Sequence, residues 1–471
     1  MKSAVEREVK LVPGPGFRRI ELEGRPIEAR TLTSIYHDTD DLRLGQAGIT
    51  LRLRRGGPAA VWQLKLPLAD GRCELEWPGR SRRIPAEVRR LLLAHTRGRP
   101  LGAVATLRTE RSGVVVTDGR TDVAEVTDDR VEVVADEGVV ETFEEIEVEL
   151  VDGEPEALDR LERLLLDAGA RPSDAPPKVF RALGGRPTRR TRVKARGRRR
   201  VLAKALAAQY AEVLAQDPGT RLARDPEALH DHRSAVRRLR ALLRAGRPLL
   251  DRTWADDLRN SLKRVGRTLA DARDLDVMIA GIENDRRRLD EPERTGAGDV
   301  LDALRKRRAR AQRDLVASIS EPWYISTLNR LETAVGDPHF AGSGSLRRGV
   351  RRDHRRARKI VRKLSETPTD AQLHALRRAV RNGRYSAELA EAGGVRKAGR
   401  YRKHAKALQG ILGAHQDAVV AGKLLAEIDP ELTRPSAHLA GDALAAMQAE
   451  RRVAARDRIA RAWKRLEAGA L

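Results

Sequence analysis

The chain has 471 residues, which is too long for one compact core, so we expect two to four domains. Its formal net charge is +25, but residues 1–188 hold 30 Lys and Arg against 33 Asp and Glu, whereas residues 189–471 hold 63 against 35. This asymmetry predicts a polyanionic partner for the second part, such as nucleic acid, an anionic membrane or polyphosphate, and disfavours an ordinary solvated surface.

The cysteine count and the lack of long apolar segments argue against disulfide bonds and against secretion. The single cysteine, Cys73, can form neither an intramolecular disulfide nor a cysteine-based metal site. The start of the chain, MKSAVEREVKL, lacks an apolar signal core, and no apolar run reaches the roughly 18 residues of a membrane span. We therefore expect a cytoplasmic protein with no membrane span.

The first 183 residues alternate charged and apolar side chains, which is typical of strands with one charged face. The pattern occurs at residues 5–12, 49–54, 62–66, 111–117 and 143–150, and Gly or Pro separates the segments. Two helices are predicted at residues 85–95 and 155–168. One charged strand would be explained by exposure to water, but four strands carrying both signs favour a closed barrel with a polar lumen.

The charged strand faces have the composition of a phosphate site. They hold Glu6, Glu8 and Lys10 in the first strand, Arg52 and Arg54 in another, Lys65 in a third, and Glu145, Glu147 and Glu149 in a fourth. Carboxylates are suitable ligands for Mg²⁺ or Mn²⁺, and Arg and Lys bind phosphate oxygens. No G-x-x-x-x-G-K-[ST] loop occurs, so phosphoryl chemistry here would not be that of a P-loop enzyme.

This part of the chain resembles the CYTH domain of the triphosphate tunnel metalloenzymes. The resemblance rests on the E-x-E-x-K start and on YHDT (36–39), GITLRLR (48–54), LKLP (64–67), R-x-x-R (108–111), AEVTDD (124–129), EIEVE (145–149) and PKVFR (177–181). It implies an α+β first domain over residues 1–183: an eight-stranded antiparallel β tunnel barrel with flanking helices.

The same resemblance implies the roles of individual residues. The implied metal ligands are Glu6, Glu8, Glu147 and Glu149, with Glu145 as a further candidate because it shares their strand face. The implied triphosphate contacts are Lys10, Arg52, Arg54, Lys65, Arg108, Arg111 and Lys178. The implied catalytic set is Glu6, Glu8, Lys10, Glu147 and Glu149, acting with Mg²⁺ or Mn²⁺.

A segment rich in Gly, Pro and Arg follows at residues 184–200, and we interpret it as a basic linker. Beyond it, apolar residues recur every three or four positions, which predicts an all-α module over residues 201–471. Turns are predicted at several Pro-containing sites, among them Asp217-Pro218-Gly219.

The helical part contains an internal duplication. The segment HDHRSAVRRLR, beginning at His230, matches HALRRAVRNGR, beginning at His374, in one His and three Arg at offsets 0, 3, 7 and 10. Further along, Lys263, Leu269 and Asp274 match Lys406, Leu412 and Asp417 at nearly the same separation. Two motifs repeated at a near-constant separation indicate a duplicated module.

At about 100° per residue, these offsets place the His and the three Arg within an arc of roughly 80° on one helix face. A solvated face is the usual explanation of a charge run. The duplication and the shortage of carboxylates on the stripe favour an anion-binding face instead. Guanidinium groups are suited to this because they bind phosphate oxygens in a bidentate manner.

The duplicated motifs resemble the CHAD domain, over about residues 201–468. The resemblance implies two four-helix bundles related by a pseudo-twofold axis, with repeat one at about 201–335 and repeat two at about 344–468. It implies a basic groove that binds inorganic polyphosphate. The implied contacts are His230, Arg233, Arg237, Arg238, Arg240, Lys263, His374, Arg377, Arg378, Arg381, Arg384 and Lys406.

Three functions remain open at this point. The first is a polyphosphate-binding protein whose tunnel hydrolyses a linear triphosphate such as tripolyphosphate, with polyphosphate granules as its expected location. The second is a non-catalytic polyphosphate scaffold. The third is non-specific nucleic-acid binding at low salt, which is disfavoured because aromatic residues make up only 3% of the chain and leave little for base stacking. Among other activities of the tunnel family, thiamine triphosphate hydrolysis stays open, whereas adenylate cyclisation ranks low for lack of a base-recognition element.

Overall fold

The computed structural model describes residues 2–68, 71–173, 177–185, 187 and 195–471, and for residues 2–6 it describes the backbone alone. The chain divides into two compact units, Met1–Arg190 and Thr191–Leu471. The predicted basic linker at residues 184–200 lies largely outside the described residues.

The first unit is built mainly from strands. They are β1 (Lys2–Glu6), β2 (Glu8–Pro13), β3 (Gly24–Asp38), β4 (Thr50–Arg55), β5 (Val61–Leu68), β6 (Gly71–Pro78), β7 (Gly102–Thr117), β8 (Asp122–Ala135), β9 (Gly138–Leu150) and β10 (Ala170–Pro172). The helices are α1 (Arg43–Gln46), α2 (Ala86–Leu91), α3 (Leu93–Thr96), α4 (Pro155–Asp167) and α5 (Lys178–Ala182).

In the described part of the chain, these strands form one antiparallel sheet of ten, in the order β1-β6-β5-β4-β3-β7-β8-β9-β2-β10. The expected count of eight is corrected by two details. The N-terminal strand is interrupted at Arg7 and contributes both β1 and β2, and the short β10 adds to the outer edge of β2. The hydrogen-bonded order of the described strands is open, so the expected closed barrel is not formed. Its first strand, β1, and its next-to-last strand, β2, are consecutive in the chain on either side of Arg7.

Alternation along the strands separates a polar lumen from an apolar exterior. On β2, Lys10 lines an internal cavity, whereas the next residue, Leu11, belongs to a buried cluster that includes Leu161 and Leu165 of α4. A second buried cluster packs Phe180 of α5 against strand residues of β3, β7, β8 and β9. The helices therefore cover the outside of the curled sheet and leave its inside to charged residues.

The second unit is helical throughout its described residues. Its helices are α6 (Gly197–Leu222), α7 (Pro226–Ala245), α8 (Arg252–Thr268), α9 (Ala270–Arg286), α10 (Glu293–Ser318), α11 (Pro322–Gly336), α12 (Leu346–Val361), α13 (Asp370–Ala392), α14 (Lys397–Ile428) and α15 (Pro435–Ala468), with a 3-10 turn at Asp429–Glu431. Within the described residues, every helix is too short or too polar to cross a membrane.

The helices repeat in order, so that α6, α7, α8 with α9, and α10 correspond to α12, α13, α14 and α15. The duplicated Leu269 separates α8 from α9, whereas its counterpart Leu412 lies inside the continuous α14. The two repeats pack through α7 against α13 and through α10 against α15. An apolar cluster contributed by α9, α10, α14 and α15 joins them.

Both helices that carry the His/Arg stripes have defined starts. The Asp225 side chain accepts a hydrogen bond from the backbone of Glu227 at the start of α7, and Thr369 and Gln372 form a capping box at the start of α13. Each stripe therefore begins at the fifth residue of its helix, at His230 and at His374.

The predicted turn at Asp217-Pro218-Gly219 is wrong, because these residues lie inside α6. The cause is tertiary. The Asp217 carboxylate is fully buried and accepts hydrogen bonds from Nε of Arg221 at 2.6 Å and from the Tyr324 hydroxyl at 2.7 Å. These buried contacts hold a helical conformation that the local sequence disfavours.

Candidate functional site

The curled sheet of the first unit encloses a cavity of about 320 Å³ that is lined almost entirely by charged and polar side chains. Strands β2 to β9 and helix α5 all contribute. The lining residues that the sequence predicted are Glu8, Lys10, Arg52, Arg54, Lys65, Arg111, Glu147, Glu149 and Lys178. The others are Arg30, Tyr36, Thr50, Gln63, Arg72, Glu74, Glu76, Glu125, Pro177 and Val179.

Glu147 is the centre of a cluster of cations. Its Oε1 atom accepts from Lys10 and lies 3.0 Å from Nζ of Lys178, and its Oε2 atom accepts from Nη2 of Arg111 at 2.6 Å. Arg111 also binds both oxygens of Asp129, at 2.7 and 2.6 Å, and Lys178 donates to the same carboxylate. Both oxygens of Glu147 are thus engaged by three cations.

The charges in this cluster stabilise one another. Burial alone would lower the pKa of Lys10, but Glu147, Glu8 and Glu145 together raise it well above its usual value. Conversely, burial would raise the pKa of Glu147, but Lys178, Lys10 and Arg111 hold it well below its usual range. Lys10 and Glu147 are therefore both ionised at neutral pH.

A second group of cations lines the strands β4 and β5. Arg52 donates from Nε to Oε1 of Gln63 at 2.7 Å and from Nη1 to the Tyr36 hydroxyl at 3.2 Å. Lys65 lies 3.3 Å from Oε2 of Glu74. Burial and the adjacent Arg52 lower the pKa of Arg54. An anion bound here would relieve the repulsion between these guanidinium groups.

Three carboxylates form a row across neighbouring strands. Glu8 of β2 is directly opposite Glu149 of β9, and Glu149 is directly opposite Glu125 of β8. All three line the cavity. Like charges opposite one another destabilise a sheet, and hard oxygen ligands are those that Mg²⁺ and Mn²⁺ prefer, so the donor chemistry of this row fits a divalent metal. Among the described side chains, no three carboxylates or imidazoles already converge on one metal position.

Of the remaining predicted residues of this unit, Glu145 and Arg108 do not line the cavity. Glu145 is buried beside it, with Oε2 at 3.2 Å from Nζ of Lys178, and burial raises the pKa of Glu145 against the opposing effect of Lys10 and Lys178. The side chain of Glu6 lies outside the described residues.

Arg108 requires a correction. Its half-exposed side chain lies 3.3 Å from Glu132 on the outside of the sheet, whereas Arg111 points into the lumen. The two arginines are three positions apart, and an odd separation on a strand places two side chains on opposite faces. The expectation that both contact the same phosphate is therefore not supported by their positions.

Sequence reasoning did not assign Glu125, Glu74, Glu76, Arg30 or Arg72 to the lumen. The available signal was alternation, since Arg72, Glu74 and Glu76 share one face of β6. Glu125 could be placed only once the register of β8 with β9 was known.

In the second unit, residues from both His/Arg stripes line one groove, which has a volume of about 530 Å³. The predicted residues that line it are His230, Arg233, Arg237, His374 and Arg377. Helices α7 and α13 pack against each other beside it, and Arg237 of α7 reaches the Tyr385 hydroxyl of α13 at 3.4 Å. The duplicated stripes are thus brought together across the two repeats.

Repulsion between the stripes is visible in one arginine. Burial, followed by the proximity of Arg377, lowers the pKa of Arg381 to about 10, and Arg237 and Arg240 of the other repeat act in the same direction. Arg384 stacks over the Tyr385 ring with its guanidinium carbon 4.3 Å from the ring centre. A bound polyanion would compensate this concentration of positive charge.

Two duplicated carboxylates belong to the same groove. Asp274 is 2.5 Å from Nη1 of Arg233, and Asp417 of the second repeat also lines the groove. Partial desolvation raises the pKa of Asp417 against the opposing effect of Arg377. Each repeat therefore supplies one carboxylate to balance part of its own stripe.

Seven of the predicted residues do not line the groove: Arg238, Arg240, Lys263, Arg378, Arg381, Arg384 and Lys406. Four of them lie on the exposed surface. Arg238, Arg378, Lys263 and Lys406 are exposed and do not line the groove. Arg238 and Arg378 are at offsets 8 and 4 from the histidine, which place them about 80° and 40° around the helix from it, on the side away from the stripe arginines. The groove lining does not include these four predicted contacts.

Comparison with known proteins agrees with the two units. The CYTH domain family matches residues 4–172, and the CHAD domain family matches residues 204–426. An uncharacterized protein from Mycobacterium tuberculosis, found in strains CDC 1551 and H37Rv, is 29% identical over 458 residues, covering 88% of this chain and 87% of the relative.

Solved structures resemble the units separately. PptA from Streptomyces chartreusis is 23% identical, with 57% of this chain and 100% of that chain covered and a TM-score of 0.46. The CHAD domain from the plant Ricinus communis is 23% identical, with 59% and 93% covered and a TM-score of 0.48. The adenylyl cyclase HpAC1 from Hippeastrum, described as having a dominant triphosphatase activity, is 18% identical, with 39% and 97% covered and a TM-score of 0.27. The family matches identify residues 4–172 of the chain as a CYTH domain and residues 204–426 as a CHAD domain.

Proposed function

We propose that this protein binds inorganic polyphosphate in its helical unit and hydrolyses a linear triphosphate, such as tripolyphosphate, in its tunnel. One observation carries the proposal. The same cavity holds a carboxylate row (Glu8, Glu149 and Glu125) and cations on the other strands, which is the pairing of charges that a metal–triphosphate complex requires.

The cations of the lumen are proposed to bind the substrate. Arg52, Arg54 and Lys65 are placed on adjacent strands, so they can contact successive phosphoryl groups of one chain. Arg111 adds a guanidinium that Asp129 and Glu147 hold in one orientation. Charge-assisted hydrogen bonds of this kind are stronger than neutral ones and fix the phosphates in position.

The carboxylate row is the proposed metal site. A CYTH domain implies a divalent metal, and Glu8, Glu149 and Glu125 would hold Mg²⁺ or Mn²⁺. The bound metal would supply positive charge for polarising a phosphoryl group and activating water. Glu6 stays a predicted ligand. Glu147 is assigned a positioning role instead, because both of its oxygens are engaged by Lys10, Lys178 and Arg111.

Lys10 is proposed as a fixed positive charge. Because its carboxylate neighbours raise its pKa well above the usual value, it does not lose its proton at neutral pH and cannot act as a general base. Its charge is instead available to stabilise the negative charge that develops on the phosphoryl oxygens.

The groove of the helical unit is proposed to hold a longer polyphosphate chain. The support is the meeting of arginines from the stripes of both repeats in one groove. Burial and the neighbouring arginines also lower the pKa of Arg381 on α13. A linear phosphoanhydride chain offers charge without bases, which suits the Arg and His side chains of the groove. The lining also contains apolar side chains, among them Val277, Met278 and Ile282.

The test is an assay of the full chain for phosphate release from tripolyphosphate, ATP, thiamine triphosphate and long-chain polyphosphate, with Mg²⁺ or Mn²⁺. We expect metal-dependent release that Glu8→Gln and Glu149→Gln abolish, while Arg160→Gln on the exposed side of α4 retains it. No release from any substrate with either metal would instead favour the non-catalytic scaffold.

A further inference from the structure

Helix α12 has an outer face composed of cations. Of residues 346–363, all of which the structure describes, ten are exposed Lys or Arg: Arg347, Arg348, Arg351, Arg352, Arg355, Arg356, Arg358, Lys359, Arg362 and Lys363. The single carboxylate in this stretch, Asp353, is buried and bound to Arg244. The face therefore has no negative charge of its own.

The cations occupy one side of the helix. At about 100° per residue, all ten fall within roughly 180° of the circumference, and they extend over about 25 Å of the axis. The buried residues Leu346, Val350, Asp353 and Ala357 occupy the other half. The apolar side of α12 is thus used for packing, and only charge is presented to solvent.

Few of these cations are paired. Within the described residues, Arg358 lies 3.1 Å from Glu467, Arg352 lies 3.6 Å from Asp353, and Arg351 donates to the backbone oxygen of Leu471 at 2.8 Å. The structure records no ion pair for the other seven. Like charges three and four residues apart on a helix repel, so the face destabilises the ligand-free helix.

The fold does not require this face. Helix α6 is the counterpart of α12 in the first repeat and packs on α7 as α12 packs on α13. Beyond its arginine-rich first turn, α6 exposes Lys204, Ala208, Ala211 and Ala215. The same position in the bundle can therefore be filled by small neutral residues. Folding does not require the cations of α12, so we attribute them to the binding of a ligand.

The chemistry of the face favours a linear phosphate chain. No aromatic or large apolar side chain is exposed among residues 346–363, so neither base stacking nor insertion into a membrane surface has support. A recess of about 410 Å³ in this face is lined by three arginines and by His354, Val350 and Leu471; the arginines are Arg348, Arg351 and Arg355. Several guanidinium groups around one recess are suited to binding phosphate oxygens.

We propose that the outer face of α12 is a second polyphosphate-binding surface, additional to the groove between α7 and α13. The inference rests on the polyphosphate function proposed above. A chain long enough to occupy both surfaces gains affinity from the second contact without needing a stronger first one. A short chain held in the groove gains nothing from it.

The test compares two triple variants of the full chain that remove equal charge. The first is Arg348→Gln, Arg355→Gln and Arg356→Gln on α12, and the matched control is Lys306→Gln, Arg310→Gln and Arg313→Gln on the exposed side of α10. Binding of long-chain polyphosphate, of a chain of about ten phosphates and of duplex DNA is measured between 0.05 and 0.3 M salt, and circular dichroism checks that each variant is folded.

We expect the α12 variant to bind the long chain at least about tenfold more weakly, and the slope of log K against log salt to decrease in magnitude by about 2 for three lost contacts. The short chain should bind as in the wild type. Equal affinities of the α12 and α10 variants for the long chain would overturn the inference, as would a loss restricted to duplex DNA. The proposed groove is tested separately with the variant Arg237→Gln. If this variant binds polyphosphate as tightly as the wild type does, the groove proposal is overturned.

Discussion

Arg244 of α7 and Asp353 of α12 form a buried ion pair that joins the two repeats of the helical unit, with Nη1 to Oδ1 at 3.0 Å and Nη2 to Oδ2 at 2.6 Å. Arg244 also donates to the backbone oxygen of Asn382 and to Ser386 on α13. Burial would raise the pKa of Asp353, but Arg244 lowers it, so the carboxylate stays charged. The groove depends on this junction, because α7 and α13 must pack together for the two stripes to meet.

Replacing Arg244 with Met should destabilise the helical unit by about 3–5 kcal/mol, because Asp353 would be left buried without its charged partner. The measurement is chemical denaturation followed by circular dichroism. The double variant Arg244→Met with Asp353→Leu should recover most of that loss. A double variant no more stable than Arg244→Met would contradict this account of the junction.

The two arginines of β7 give a direct test of the tunnel geometry. Arg111→Gln should lower kcat/KM for tripolyphosphate by about 10- to 100-fold, since it removes a charge-assisted contact from the lumen. Arg108→Gln should leave kcat/KM within about twofold of the wild type, because Arg108 lies on the outer face beside Glu132.

Arg54→Gln accompanies this pair, because loss of the buried Arg111 could also affect folding. Arg54 lines the same lumen with fewer hydrogen bonds to the protein, so its variant should stay folded and lose activity. Equal losses for Arg108→Gln and Arg111→Gln would show that the two faces of β7 are not distinguished as the structure indicates.

The carboxylate row predicts metal affinity independently of turnover. Glu125→Gln should weaken Mn²⁺ binding by about tenfold or more, as Glu149→Gln should, because each removes one hard oxygen ligand. Isothermal calorimetry on the full chain provides the measurement. The matched control is Glu132→Gln, which lies on the other face of the same strand β8 and should bind Mn²⁺ as the wild type does. Unchanged affinity in Glu125→Gln would remove Glu125 from the site.

In the tunnel, the sequence alone predicts some of the lumen residues and misses others. Period-two alternation placed Lys10, Arg52 and Lys65 on lumen faces, because the side-chain direction along a strand is a local property. Glu125 was not assigned, since its place beside Glu149 depends on strand register, which is set by pairing between distant segments. Arg108 was misassigned through a motif, although its odd separation from Arg111 already indicated opposite faces.

In the helical unit, too, some features could be predicted from the sequence and others could not. The His/Arg stripes follow from the 3.6-residue period and could be read directly. That the stripes of α7 and α13 share one groove is a consequence of packing between repeats, which no local pattern encodes.

Arg381 should show opposite effects on stability and binding. Arg381→Gln removes a guanidinium whose pKa is lowered to about 10 by burial and by neighbouring arginines. We expect the ligand-free protein to gain about 1 kcal/mol, or roughly 2–4 °C in Tm, and polyphosphate affinity to fall.

Arg238→Gln is the matched control, because Arg238 is exposed on α7 away from the groove. It removes the same charge and should change neither quantity measurably. An Arg381→Gln protein that is less stable and binds polyphosphate normally would show that the arginine serves packing alone.

His232 makes the stability of the helical unit depend on pH. Its imidazole is fully buried, with Nδ1 at 3.1 Å from the Thr220 hydroxyl, and burial lowers its pKa from 6.5 to about 4 against the opposing effect of Asp217. The unfolded chain therefore binds a proton at a higher pH than the folded chain does. Stability should be fully present above pH 6.5 and should decrease as the pH falls toward 4, by up to about 3 kcal/mol.

The variant His232→Leu isolates the contribution of His232 to the pH dependence of stability. It removes the titrating imidazole, even if the substitution also changes the stability at neutral pH. The free energy of unfolding, measured by denaturation from pH 7 to pH 4, should then decrease less steeply than in the wild type. His230→Gln, two residues earlier on the same helix but facing the groove, should keep the wild-type slope. If His232→Leu and the wild type lose stability in parallel over this range, the acid sensitivity arises from other groups of the unit, among them His354 and His415, whose pKa values burial also lowers.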